Sequence, residues 1–179
     1  MHYIQFVSRQ SMADDFKGMR GTEVSKMELA LMVAFVIMLI LVAVVDIKKR
    51  VIPNGFVMTI GIIAVMAMVF QDNLTFTHRL IGFFCISLPL FILALIIPNA
   101  FGGGDIKLMA VSGFYLGVQL TLLSFFIGVM VGGFYCMWLL LVKGKSKEER
   151  FAFGPFLSAG MVIALFFGTH LLNGVFNKL

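Results

Sequence analysis

From Ile106 to Val142 the chain carries one charged side chain, Lys107. A bilayer span needs roughly 20 apolar residues, so this stretch is too long for one span of ordinary length. It must break, and Gly117-Val118-Gln119 is the natural place, with a glycine beside a polar side chain. Further apolar runs cover 28–45, 55–70, 80–97 and 153–172. With the long stretch divided into 105–117 and 120–142, the pattern predicts an all-α polytopic membrane protein, a bundle of about six transmembrane helices. Composition agrees: 13% of residues are charged, against about 25% in a soluble domain.

The domain organisation follows. Residues 28–172 make the transmembrane domain, after a polar, mixed-charge tail over 1–27 and before a short tail over 173–179. The first tail does not read as a signal peptide. The apolar run behind it is too long, and no Ala-x-Ala pattern closes that run. Cys85 and Cys136 lie apart inside apolar runs. That placement fits two small buried hydrophobes, and it disfavours a metal site or a structural disulfide.

Positive charge sets the orientation. Lys48, Lys49 and Arg50 follow the first run, and Lys143, Lys145, Lys147 and Arg150 precede the last. Short basic loops mark the cytoplasmic side. They are too short, and too closely wedged between spans, to suggest nucleic-acid binding. Alternation then puts the loop 99–104 on the same side and the loop 71–79 outside, with Arg79 as an outside loop charge.

Two acids stand out against this pattern. Asp46 ends the first apolar run, and Asp105 follows Gly102, Gly103 and Gly104. Topology brings both to one end of the bundle. Ionisable groups near bilayer depth are costly and read as functional. Two carboxylates sharing a proton suffice to hydrolyse a peptide. The ionised one takes a proton from water, and the protonated one polarises the carbonyl oxygen. Like charge and partial burial keep one of the two protonated near neutral pH. Neither a covalent intermediate nor a metal or other cofactor is required. Lys107 lies about 200° around a helix from Asp105 and points away from it, while Ser112 shares the face of Asp105.

Three phrases occur in order: Asp46-x-x-x-Arg50-x-Ile52-Pro53-Asn54, then Gly102-Gly103-Gly104-Asp105-x-Lys107-Leu108, then Phe153-Gly154-Pro155-Phe156-Leu157. Together they resemble the type IV prepilin peptidase family, intramembrane aspartic proteases of the Gly-x-Gly-Asp class. The chain is similar to the short, peptidase-only form found with Flp/Tad pilus systems and to archaeal preflagellin peptidases. It lacks the paired Cys-x-x-Cys region of full-length bacterial members, so methyltransferase activity is not expected. The resemblance implies Asp46 and Asp105 as the catalytic pair. Gly102, Gly103, Gly104 and Lys107 are expected at the substrate. Arg50, Pro53, Asn54, Gly154 and Pro155 are expected to be structural, with Asn54 a candidate helix N-cap. The implied partners are a prepilin or pseudopilin helix and membrane lipid, and the implied location is the plasma (inner) membrane with the site facing the cytoplasm. The sequence leaves the oligomeric state open. The alternatives are a proton- or cation-coupled transporter that uses the two aspartates as carriers, and a catalytically silent assembly subunit.

Overall fold

A computed structural model describes residues 26–70, 74–97, 102–143 and 152–176. These residues are helical, without strands: α1 is Lys26–Lys49, α2 Asn54–Phe70, α3 Phe76–Ile96, α4 Gly103–Lys143 and α5 Gly154–Phe176. Among the described residues, three helices are long and apolar enough to cross a membrane: Lys26–Lys49, Phe76–Ile96 and Gly103–Trp138. Two shorter apolar helices are Asn54–Phe70 and Gly154–Gly168. Large hydrophobics also cover the outer faces, as Ile37, Ile40, Val44 and Ile47 do on α1. A helix that is apolar all round belongs in lipid.

The expected break falls at Gly117, whose φ of 74° and ψ of 174° leave the helical region. A positive φ favours glycine there, because a Cβ would be strained. We call 103–116 the first arm of α4 and 118–143 the second arm. The Gly117 carbonyl accepts the Thr121 hydroxyl at 2.6 Å. Gly117 makes the break and, with Gly113, also packs on α3, since a Cβ on Gly82 would lie 2.9 Å from the Gly117 carbonyl carbon. A Cβ on Gly113 would strike the Gly82 carbonyl, and a Cβ on Gly82 the Gly113 carbonyl. Thus α3 and the first arm cross backbone to backbone, as small residues permit. Gly128 and Gly132 in the second arm lie against Phe153, Phe156 and Leu157 of the α5 entry.

Each helix buries one stripe. On α1 the buried residues are Leu31, Phe35, Leu39, Val42 and Asp46, at steps of four, four, three and four. That spacing is one helical face, and Asp46 is its last member. The helix therefore does not stop where the apolar run does. The helix continues through Lys49, where Lys48 and Lys49 complement the negative end of its dipole. It ends at Arg50, whose φ is 53° and whose N–H donates to the Asp46 carbonyl at 2.8 Å.

Arg79 corrects the expected loop. It lies in the first turn of α3 and is fully buried. Its guanidinium donates to the carbonyls of Ala67, Phe114 and Tyr115 at 3.4–3.5 Å. These carbonyls belong to the last turn of α2 and to the end of the first arm, where helices leave acceptors without partners. Arg79 thus ties three helix ends together at the level of the Gly117 break.

Candidate active site

The first arm of α4 and α1 both pack on α2, and alternation of the helices along the chain runs the two in opposite directions. Phe35 of α1 and Tyr115 of the first arm stack with ring centroids 4.1 Å apart and planes 12° from parallel. Asp46 lies eleven residues beyond Phe35 (46 − 35), and Asp105 lies ten before Tyr115 (115 − 105). At about 1.5 Å per residue, both climb roughly 15–16 Å above the stacked rings. The two acids therefore stand level at one end of the bundle. Both are enclosed, Asp46 at 4% exposure and Asp105 at 8%.

Their surroundings differ. The Asp46 carboxylate accepts the Gly154 N–H at 3.0 Å. The sequence at the start of α5 explains why that N–H is free. Pro155 has no N–H, while Phe156 and Leu157 donate back to the Phe153 carbonyl at 3.1 and 3.2 Å. Gly154 is left to donate outward, at the positive end of the helix dipole. Its lack of a side chain is required, because a Cβ would lie 2.7 Å from Asp46 Oδ2. Gly154 was expected to be structural only. Its contact with Asp46 spans 108 positions, a separation at which no local pattern could have revealed it.

Asp105 sits in the first turn of α4 and is not its N-cap. Its N–H and that of Ile106 both donate to the Gly102 carbonyl, at 3.0 and 3.3 Å. Asp105 Oδ1 is buried and takes no hydrogen bond. The three glycines have different neighbours. A Cβ on Gly102 would come within 3.0 Å of Asp105 Oδ2. On Gly104 it would meet the buried Ile52 side chain at 2.8 Å, and on Gly103 it would meet nothing within 4 Å. Gly104 therefore seats the start of α4 on Ile52, while Gly103 is open.

Lys107 does point away from Asp105. Its ammonium donates to the Asn54 side-chain carbonyl at 3.1 Å on an exposed edge. That bond engages the Asn54 side-chain oxygen with α4 and pins the starts of α2 and α4 together. The Pro53 carbonyl accepts the Phe56 N–H at 3.1 Å and so opens α2. Arg50 is exposed and closes α1. Among the described residues, no group of three or more His, Cys, Asp or Glu side chains could hold a metal ion.

A profile of the type IV leader peptidase family matches residues 33–137, which include both aspartates and the glycine triplet. The chain belongs to this family. A prepilin leader peptidase/N-methyltransferase of Bacillus subtilis (strain 168) is 33% identical over 147 residues, 82% of this chain and 59% of the relative. A protein of the same description from Legionella pneumophila is 35% identical over 72 residues, 40% of this chain and 25% of the relative. Another from Burkholderia pseudomallei (strain 1026b) is 41% identical over 80 residues, 41% of this chain and 24% of the relative. The chain thus spans about three-fifths or less of the length of these curated relatives. No solved structure matches it.

Proposed function

We propose that the chain is an intramembrane aspartic endopeptidase that removes the leader from type IV prepilin-like substrates of the Flp/Tad kind. The observation that carries this reading is the pair of enclosed carboxylates, Asp46 and Asp105, standing level at one end of the bundle. Family membership supports the substrate class. The basic residues Lys48, Lys49 and Arg50 next to Asp46 support a site facing the cytoplasm, across the plasma membrane from the Gly117 break. A carrier role is less well supported, because both acids lie at helix ends and not midway along them.

The unequal surroundings of the two acids suggest a division of labour. Asp46, facing the Gly154 N–H and the α5 dipole, is the ionised carboxylate and acts as general base. Asp105 holds the shared proton and acts as acid. Asp46 takes a proton from water as the water oxygen bonds to the peptide carbonyl carbon. Asp105 protonates the carbonyl oxygen. In the collapse, the C–N bond breaks, the carbonyl re-forms and returns its proton to Asp105, and the amine leaves with the proton from Asp46. The open Gly103 lets an extended substrate backbone pass close to Asp105, and Lys107 lines the exposed edge of that path.

The test is cleavage of a co-expressed Flp-type prepilin, read as a mobility shift on a gel. Asp46→Asn and Asp105→Asn each abolish processing while the protein stays in the membrane at normal abundance. Processing at the normal rate by either variant would sink the dyad mechanism.

A further inference from the structure

Each peptide bond hydrolysed consumes one water, and a site enclosed by apolar helices has to hold that water. The buried hydroxyls fall into two groups. Ser87, Thr121 and Ser124 each donate to a carbonyl of their own helix, those of Phe83, Gly117 and Thr121. This is the ordinary way for a helical hydroxyl to be satisfied away from water. Ser112 and Ser158 behave differently. Both lie within helices and are buried, at 0% and 3% exposure, and neither Oγ has a hydrogen-bond partner in the protein. Among the described residues, the buried side-chain oxygens in this condition are those of Asp105 Oδ1, Ser112 and Ser158.

Their positions in the helices relate all three to the dyad. Ser112 lies seven residues after Asp105, nearly two full turns, so it shares the face of Asp105 about 10 Å deeper. Ser158 lies four residues after Gly154, about one turn beneath the N–H that holds Asp46. One hydroxyl therefore lies on α4 below Asp105, and the other on α5 below the N–H that holds Asp46. A buried hydroxyl left unpaired is costly, and native proteins rarely leave several unpaired in one region. Bound water is the usual partner where polar groups converge on enclosed space.

We propose that Ser112 and Ser158 hold ordered water beneath Asp46 and Asp105, and that this pocket supplies the water consumed in hydrolysis. The proposal rests on the peptidase reading above. The serines act as positioning residues, with the aspartates carrying the proton transfers.

Two methionines report on the pocket. Met109 lies between Asp105 and Ser112 on their side of α4, and Met161 lies one turn beyond Ser158. Both are closed to bulk solvent, at 0% and 1% exposure. Brief X-ray irradiation of the full chain in detergent generates hydroxyl radicals from bound water and oxidises the side chains beside it. The proposal expects sulfoxide at Met109 and Met161, read by mass spectrometry, and less of it in the Ser112→Ala, Ser158→Ala double variant. Each single variant should lower kcat about tenfold with KM unchanged, the scale of one lost hydrogen bond to a held water. Ser87→Ala, where the hydroxyl is already satisfied, should leave kcat unchanged. Unoxidised Met109 and Met161 in a chain that still cleaves prepilin would overturn the pocket. So would a rise in melting temperature with unchanged kcat in the alanine variants, since that is the behaviour of a hydroxyl buried dry. Loss of the peptidase reading would show instead as no cleavage by the unaltered chain, with the footprint still deciding whether water is held.

Discussion

The two ends of this bundle both enclose charge, and they treat it in opposite ways. At one end Arg79 is sealed in, with its guanidinium bonded to the carbonyls of Ala67, Phe114 and Tyr115. At the other end Asp46 and Asp105 are both enclosed, and Asp105 Oδ1 takes no hydrogen bond in the protein. The first arrangement gives both terminal guanidinium nitrogens a carbonyl partner and caps the helix ends around them. The second keeps a cost in place, as active sites do where reactivity depends on groups that are not fully satisfied. One end holds the fold together, and the other holds the proposed catalytic pair.

Mutation should separate the two ends. Arg79→Ala leaves buried carbonyls unpaired and a cavity behind them, costing about 3 kcal/mol or more. Thermal unfolding of the purified protein should show a large fall in melting temperature, while the folded fraction still processes prepilin. Asp105→Asn should do the reverse. It replaces a protonated carboxyl by a neutral amide of the same size, so the melting temperature should hold while processing stops. If Arg79→Ala abolishes cleavage without loss of stability, the division between the ends is wrong.

Gly154 tests the acidic end more finely. A Cβ there would sit 2.7 Å from Asp46 Oδ2, so Gly154→Ala must displace the carboxylate or the start of α5. A displacement of about 1 Å in a catalytic group costs on the order of 100-fold in rate. The prediction is a loss of that size in kcat with the protein still folded.

The glycine triplet sharpens the same end. Gly104→Ala presses on Ile52 at 2.8 Å and should reduce stability. Gly103→Ala meets nothing within 4 Å, so the melting temperature should not move. If a substrate backbone passes there, the added methyl should still raise KM, by about tenfold for a crowded contact. Unchanged KM would remove Gly103 from the substrate path.

How much of this could be read in the sequence depended on the distance between cause and effect. The break at Gly117 was legible because bilayer thickness limits how far an apolar run can extend as one span. The two acids were legible because each interrupts an apolar pattern and topology sends both to one end. The burial of Arg79 was not, since an arginine beside the polar residues 71–78 reads as a loop charge. Only the carbonyls of two other helices reveal it as a core residue. The hydrogen bond from Gly154 to Asp46 was equally hidden. The Phe153-Gly154-Pro155 phrase announced a helix start, and nothing in it could say what the free N–H would face. Likewise Lys107 was placed on the correct side of α4, but its acceptor Asn54 lies 53 positions away.

The smallest predicted effect concerns Arg50, beside the acidic end. Its φ of 53° is a conformation in which glycine carries no Cβ penalty, and helices commonly end with glycine at such a position. Arg50→Gly should therefore relieve strain and raise stability by about 0.5–1 kcal/mol, provided the side chain does nothing else. An arginine kept at a strained, exposed position next to Asp46 suggests that it has other work. The work to test is contact of its charge with lipid phosphate, which would set the orientation of α1. A variant that melts higher yet inserts or cleaves less well would show that the chain gives up stability at Arg50 for placement in the membrane. One that melts higher and works normally would leave Arg50 as a helix cap alone.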